Sequence, residues 1–246
     1  MLSPDYLDSL DRRLCRLGLL RVASWPMVSA GKPSRLYAGA LSRTLPQFKT
    51  HIGITPFDET TRNIRHDVRA PFPIPANSID IFQSEDVFEH IPYSELAPVI
   101  EEIYRVLKPG GLFRLSVPDY RCPILRNRSV KSDTGEILFD PGGGGDFVGD
   151  QVVDGGHVWF PTYEAVQLLL GQSSFAQGGT TTFLHYTLEN GDSVLNQIDY
   201  SLGHVQRTPD HDDRVKGPRR AMSIVVDAVK HHAWRPPRTG TDPAPP

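Results

Sequence analysis

Residues 78–117 read SIDIFQSEDVFEHIPYSELAPVIEEIYRVLKPGGLFRLSV, and the fold class turns on them. Ser78–Ser84 and Gly111–Val117 are short apolar runs bounded by turn residues, as strands are. Between them Ser94 is placed to cap a helix. Leu96, Val99, Ile100, Ile103 and Leu107 then form an apolar stripe at helical spacing, which Gly110 and Gly111 end. Strand, helix and strand in this order make a right-handed crossover between parallel neighbours. Sheets of this kind bind ligands beyond the carboxyl ends of their strands.

Outward from this unit, strands are predicted upstream at Arg35–Ala38, Thr50–Thr55 and Asn63–Val68, and downstream at Thr180–Leu188 and Ala221–Ala228. Thr162–Ser173 reads as a further helix. Residues 4–22 carry Leu7, Leu10, Leu14 and Leu17 on one face and read as an amphipathic helix docked on the domain. Its Arg12, Arg13, Arg16 and Arg21 leave open a weak membrane-surface contact. Residues 26–34 read as a linker and 190–220 as polar, irregular chain. Residues 120–161, rich in Gly, Asp, Arg and Ser, are too long for a plain connection. They read as an excursion over the active-site edge, with Gly142–Gly145 as a flexible loop. The expected organisation is an N-terminal helix and linker over 1–34, one α/β domain over 35–230 and a disordered tail over 231–246.

Composition narrows the function. The 246 residues are 39% apolar and carry a net charge of −3, with two cysteines. The charge argues against a nucleic-acid binder held by a broad basic face. Two cysteines make neither a disulfide framework nor a four-cysteine zinc site. No apolar run approaches the ~20 residues that span a bilayer. The N-terminus MLSPDYLDSLDRR lacks the apolar core of a signal peptide, so a cytoplasmic location is expected.

The block HDVRAPFPIPANSIDIFQSEDVFEHIPYSELAPVIEEIYRVLKPGGLFRLSVPDY, residues 66–120, resembles the middle of a class I S-adenosylmethionine-dependent methyltransferase of the type 11-like group. GGHVWFPTYEAVQLL, residues 155–169, and the closing AMSIVVDAVK resemble later parts of the same family. The resemblance implies a Rossmann-like α/β fold, with a mostly parallel seven-strand sheet and helices on both faces. It implies S-adenosylmethionine as cofactor and methyl transfer to a small-molecule, glycan or glycolipid acceptor, with oxygen as the methylated atom. The alternative is a non-catalytic binding or scaffold protein on the same fold. A nicotinamide-dependent oxidoreductase would carry GxGxxG in its first turn, which this chain lacks.

The resemblance also implies site residues. Tyr37, Gly39, Gly53, Asp67, Val68 and Ser84 fall where the family binds its cofactor, with Asp67 as partner of the adenine amine. Two departures stand out. The glycine-rich first turn is reduced to Gly39 within Leu36-Tyr37-Ala38-Gly39-Ala40-Leu41. Gly53 stands about where the family has its ribose-binding acid, with Asp58 and Glu59 a few residues late. Losing that charge-assisted pair of hydrogen bonds costs about 1.5–3 kcal/mol. For catalysis the candidates are Glu85, at the end of the fourth strand, and His157, whose imidazole titrates near neutrality and suits proton removal from a hydroxyl. His90 reads as a residue that ties the loop together. No metal is expected: His204, Asp210, His211, Asp212 and Asp213 have no recognised ligand spacing and read as a solvated loop.

Overall fold

The computed structural model describes residues 2–31 and 34–235. In chain order the helices are α1 (Pro4–Arg16), α2 (Trp25–Ser29), α3 (Leu96–Val106), α4 (Pro123–Arg128), α5 (Tyr163–Gly171) and α6 (Phe175–Gly178). The strands are β1 (Arg35–Ala38), β2 (Ile52–Thr55), β3 (Asn63–Arg65), β4 (Ile79–Glu85), β5 (Leu107–Pro118), β6 (Val130–Lys131), β7 (Ile137–Phe139), β8 (Asp146–Val148), β9 (Gln151–Val153), β10 (Gly179–Thr187), β11 (Ser193–Leu195) and β12 (Ser223–Lys230).

One sheet organises the molecule, in the order β11-β10-β12-β5-β4-β1-β2-β3. The five strands from β3 to β5 run parallel. Strands β12, β10 and β11 add to the β5 edge, each antiparallel to the one before. The predicted β4–α3–β5 crossover is present. Its helix buries Leu96, Val99, Ile100 and Ile103 as the apolar stripe requires. They meet Leu36, Ala38, Ile52, Ile54, Phe82, Phe113, Leu115 and Val117 from one face of the sheet. Residues of α2, α5 and α6 join the same core.

The Rossmann-like class holds, with one correction to the detail. The sheet has eight strands, not seven. The additional β11 is three residues long and lies inside the stretch read as irregular; a run that short gives no alternation to detect. Helices α2, α3, α5 and α6 share the core on one face, whereas α4 joins a separate cluster with Val215 and Met222. Only 39–51 separate β1 from β2 and only 56–62 separate β2 from β3. The first connection holds a 3-10 turn, Pro46–Lys49, and the second no helix. A parallel crossover with a full helix takes a dozen or more residues, which 56–62 cannot supply and 39–51 only just reaches. The second face is covered instead by that turn and by chain from 196 to 215. The Gln47 and Gln83 side chains both donate to the His204 carbonyl, at 2.7 and 2.5 Å. Arg114, fully buried on β5, is paired with Asp227 and donates to the carbonyls of Asp199 and Gly203.

The N-terminal expectations are also modified. α1 ends at Arg16 rather than residue 22, where Gly18 turns at φ 69°. Its most buried residues are Asp11 and Cys15, while Leu17 is exposed. Asp11 accepts from the Thr61 backbone N–H and hydroxyl and pairs with Arg43, so a carboxylate anchors this helix. The expected linker contains α2, which Pro26 starts. Its residues 32–33, and 236–246 of the expected disordered tail, lie outside the described residues. The 120–161 excursion carries α4 and the small hairpins β6–β7 and β8–β9.

Candidate active site

The carboxyl edge of the parallel strands, where the site is expected, divides into two parts. At β1 and β2 the chain is closed on itself. Gly39 donates its N–H to the Ile54 carbonyl at 2.8 Å. The Asn63 side chain accepts from the Leu41 N–H at 2.8 Å and donates to the Leu41 carbonyl at 3.1 Å, which saturates the turn after β1. A Cβ placed on Gly53 would collide with Asn63 Oδ1 and lie 2.8 Å from the Gly39 carbonyl. No side chain fits at 53, because the Asn63 amide from β3 fills the space beside it. Gly39 itself has φ 116°, a backbone state that suits glycine, and lies against the Tyr37 ring and Val87.

Tyr37 is buried, and its hydroxyl is held protonated well above the usual range by burial and by Glu85, Asp86 and Glu89. Asp67 is half-exposed on the turn after β3. The Arg69 guanidinium at 2.6 Å holds its carboxyl below the ordinary value, and Arg69 also pairs with Glu95. Val68 is buried in the main core. Thus Tyr37, Gly39 and Gly53 cluster around one tight turn, and Asp67 stands apart in a surface ion pair.

The ends of β4 and β5 are different. Buried side-chain atoms without a hydrogen-bond partner here include the hydroxyls of Ser84, Ser116 and Ser223, one oxygen of Asp86 and both oxygens of Glu89. Native interiors leave few such groups unpaired, so their gathering at one edge marks it as a place for a ligand. Glu85 is buried and accepts the Gln206 N–H at 2.7 Å. Burial, aided by Asp86 and opposed by the Gln206 and Arg207 N–H groups, pushes its carboxyl up to about 7. Asp86, in the left-handed region at φ 54°, pairs with Arg207 at 2.9 Å. Glu89, fully buried, is raised well above the carboxylate range by burial and then by Asp86.

His157 arrives from the excursion into the same neighbourhood. Its Nε2 lies 3.7 Å from Glu89 Oε1 and its Nδ1 lies 2.5 Å from the Tyr120 hydroxyl. Tyr120 donates to Asp140 at 2.6 Å, and Arg128 grips Asp140 with two bonds of 2.7 Å. Burial, reinforced by His90, lowers His157 to about 4, so the imidazole is neutral at pH 7. His90 crosses it edge to face, with ring centroids 4.7 Å apart, and ties the loop by bonding Gly155 O at 2.8 Å. The Gly142–Gly145 run, expected to be a free loop, is a packing element: a Cβ on Gly143 would stand 2.6 Å from His157 Cγ. Its glycines let the backbone close over the imidazole.

Sequence reasoning reached Glu85, His157, His90 and Ser84 and missed Glu89, Tyr120, Asp140, Arg128 and Arg207. Glu89 precedes His90 in VFEHIP, which is the one local signal it leaves. The others meet through pairings 12–121 positions apart. The expected solvated loop around His211 covers a sheet face instead, with His204 and His211 in ring contact at 4.2 Å.

Residues 40–115 match the family model described as a methyltransferase domain. A probable S-adenosylmethionine-dependent methyltransferase of Mycolicibacterium smegmatis is 39% identical over 57 residues, 23% of this chain and 21% of that protein. The matched segment thus spans about a fifth of the length of this curated relative. Among solved structures, a methyltransferase from Archaeoglobus fulgidus is 12% identical with a TM-score of 0.44, covering 93% of this chain and 95% of its own. One from Mesorhizobium loti is 14% identical with a TM-score of 0.40, covering 84% and 97%. The stretch 40–115, which supplies β2 to β4, most of β5 and the acids at their edge, is thus similar to a methyltransferase domain.

Proposed function

We propose that this protein transfers a methyl group from S-adenosylmethionine to an oxygen of a small-molecule, glycan or glycolipid acceptor, with Glu85 as proton acceptor. The observation that carries the reading is the end of β4: a buried carboxyl raised to about 7, beside unpartnered Ser84 and Asp86 atoms, on a strand within the methyltransferase-family match. A carboxyl titrating near neutrality is matched to taking a proton from a hydroxyl as a bond forms to its oxygen.

The residues present fit the cofactor unevenly. S-adenosylmethionine supplies a methyl already activated by the positive charge on sulfur. Glu85 and Asp86 provide negative charge at the end of β4 that would favour that cation, and Ser84 offers an unfilled hydroxyl. Asp67 and Val68 would flank the adenine end. No acid can stand at Gly53, so binding of the ribose falls to other contacts. Tyr37, buried beside these acids, would shield their edge from water. His157 and its Tyr120–Asp140–Arg128 chain hold the excursion against the β4 loop, which bounds the acceptor's side. Alignment then carries much of the rate, because the donor needs no further activation.

The scaffold reading is supported by one observation: the Asn63 amide fills the space at Gly53, where the resemblance expects the ribose acid. Calorimetric titration with S-adenosylmethionine and S-adenosylhomocysteine separates the two. Binding of both, followed by turnover on a panel of hydroxylated sugars that Glu85→Gln abolishes, is the expected result. No heat at millimolar ligand would leave the scaffold.

A further inference from the structure

We propose that Glu89, His90 and His157 form a binding site for one divalent transition-metal ion, zinc by the chemistry of its ligands. One ligand atom from each of the three lies within 4.8 Å of the others. Glu89 is completely buried, yet neither carboxylate oxygen has a hydrogen-bond partner among the described residues. Such a group is expected to coordinate a metal or find a donor.

The histidines are prepared for the same role. His90 donates Nδ1–H to the Gly155 carbonyl, which leaves the lone pair of its Nε2 free. Tyr120 gives its proton to Asp140, so His157 donates Nδ1–H to the Tyr120 oxygen and keeps the Nε2 lone pair on the Glu89 side. Metal-binding imidazoles usually show this pattern: the outer N–H is fixed by a carbonyl or a carboxylate-linked partner, which sets tautomer and ring orientation. Here the outer chain is long, since Arg128 in turn anchors Asp140. Gly155 turns at φ 82° and so presents its carbonyl to His90, while Gly143 packs flat against the His157 ring.

Two neutral imidazole nitrogens and one carboxylate oxygen suit zinc and its first-row neighbours better than magnesium or calcium, which take oxygen sets. His90 is the most exposed of the three, so the ion enters from its side and keeps a coordination position there for water or a ligand oxygen. This site does not depend on the methyl-transfer reading, and its test does not involve the cofactor.

The untagged full-length chain is stripped with a chelator, dialysed against zinc and assayed by elemental analysis, with affinity read by competition with a chromophoric chelator. One zinc per chain is expected. His90→Ala, at the most exposed ligand, should weaken binding at least about a hundredfold with an unchanged circular dichroism spectrum. Tyr120→Phe should weaken it about tenfold by loosening His157. Cobalt(II) taken up in place of zinc should show visible bands that His90→Ala abolishes. A stripped chain that takes up no zinc overturns the proposal. So does zinc held equally well by the folded His90→Ala variant, which would place the ion elsewhere.

Discussion

The two ends of the parallel sheet's carboxyl edge are built on opposite principles. Around β1 and β2 the turn is sealed: Asn63 bonds both backbone groups of Leu41, and Gly53 is glycine because nothing larger fits. Around β4 and β5 buried hydroxyls and carboxylates stand without partners, and Glu85 and Glu89 are pushed toward their protonated forms. A folded chain settles its polar groups where it can, because an unpaired buried group costs about 1–3 kcal/mol. The contrast singles out the β4–β5 end as the candidate site. The β1–β2 end has the character of a finished core, and the β4–β5 end tolerates the strain that a binding site requires.

The contrast can be broken most forcefully at Glu85. Glu85→Gln keeps an acceptor for the Gln206 N–H and removes the base, so methyl transfer should fall about 10²–10⁴-fold with the fold unchanged. In the parent chain the rate should rise with pH as Glu85 loses its proton near pH 7, and level above it. An unchanged rate and pH profile in the variant would remove Glu85 from the chemistry. Next comes Gly53→Asp, which restores the family's acid. It should destabilise the fold by about 3 kcal/mol, read as a lower urea midpoint, because it displaces Asn63 and strands the Leu41 groups. Undiminished stability with tighter cofactor binding would mean that the β1–β2 end is open after all.

Asp67→Ala should weaken cofactor binding about tenfold by calorimetry, the value of one hydrogen bond to a charged group. Equal affinity would leave Asp67 as a partner of Arg69 alone. The smallest effect is expected at His51, buried just before β2 at the amino edge of the sheet and lowered to about 4 by burial and then by Arg35. A depressed folded value means that the stability it contributes is complete above pH 6.5 and is lost as pH falls toward 4. His51→Gln should flatten the decline of the urea midpoint across that window. A decline of the same slope would assign the acid sensitivity to other groups.

How much of this could be read from the chain depended on sequence distance. The β4–α3–β5 unit was legible because its stripe, Leu96, Val99, Ile100 and Ile103, and its strands lie within forty residues and obey local periodicities. The departures at Gly39 and Gly53 were legible as absences. Their cause was not, because Asn63 reaches back 22 positions to Leu41. α1 was found by its leucines, although Asp11 is what docks it through a residue 50 positions away. Gly142–Gly145 looked free because glycine carries no side chain to announce a partner, and its partner is the His157 ring.

By itself, then, the sequence determined the class of fold, the crossover at its centre and the family likeness of residues 66–120, since these follow from hydrophobic period and local motif. Only the tertiary structure decided that the first two connections would carry no α-helix, that the Asn63 amide would fill the space beside Gly53, and that Glu89, His90, His157, Tyr120 and Asp140 would meet. The physical reason is range. Periodicity reports which face of an element is buried, whereas burial, unpaired polar atoms and shifted protonation arise from neighbours that the chain brings together only when it closes.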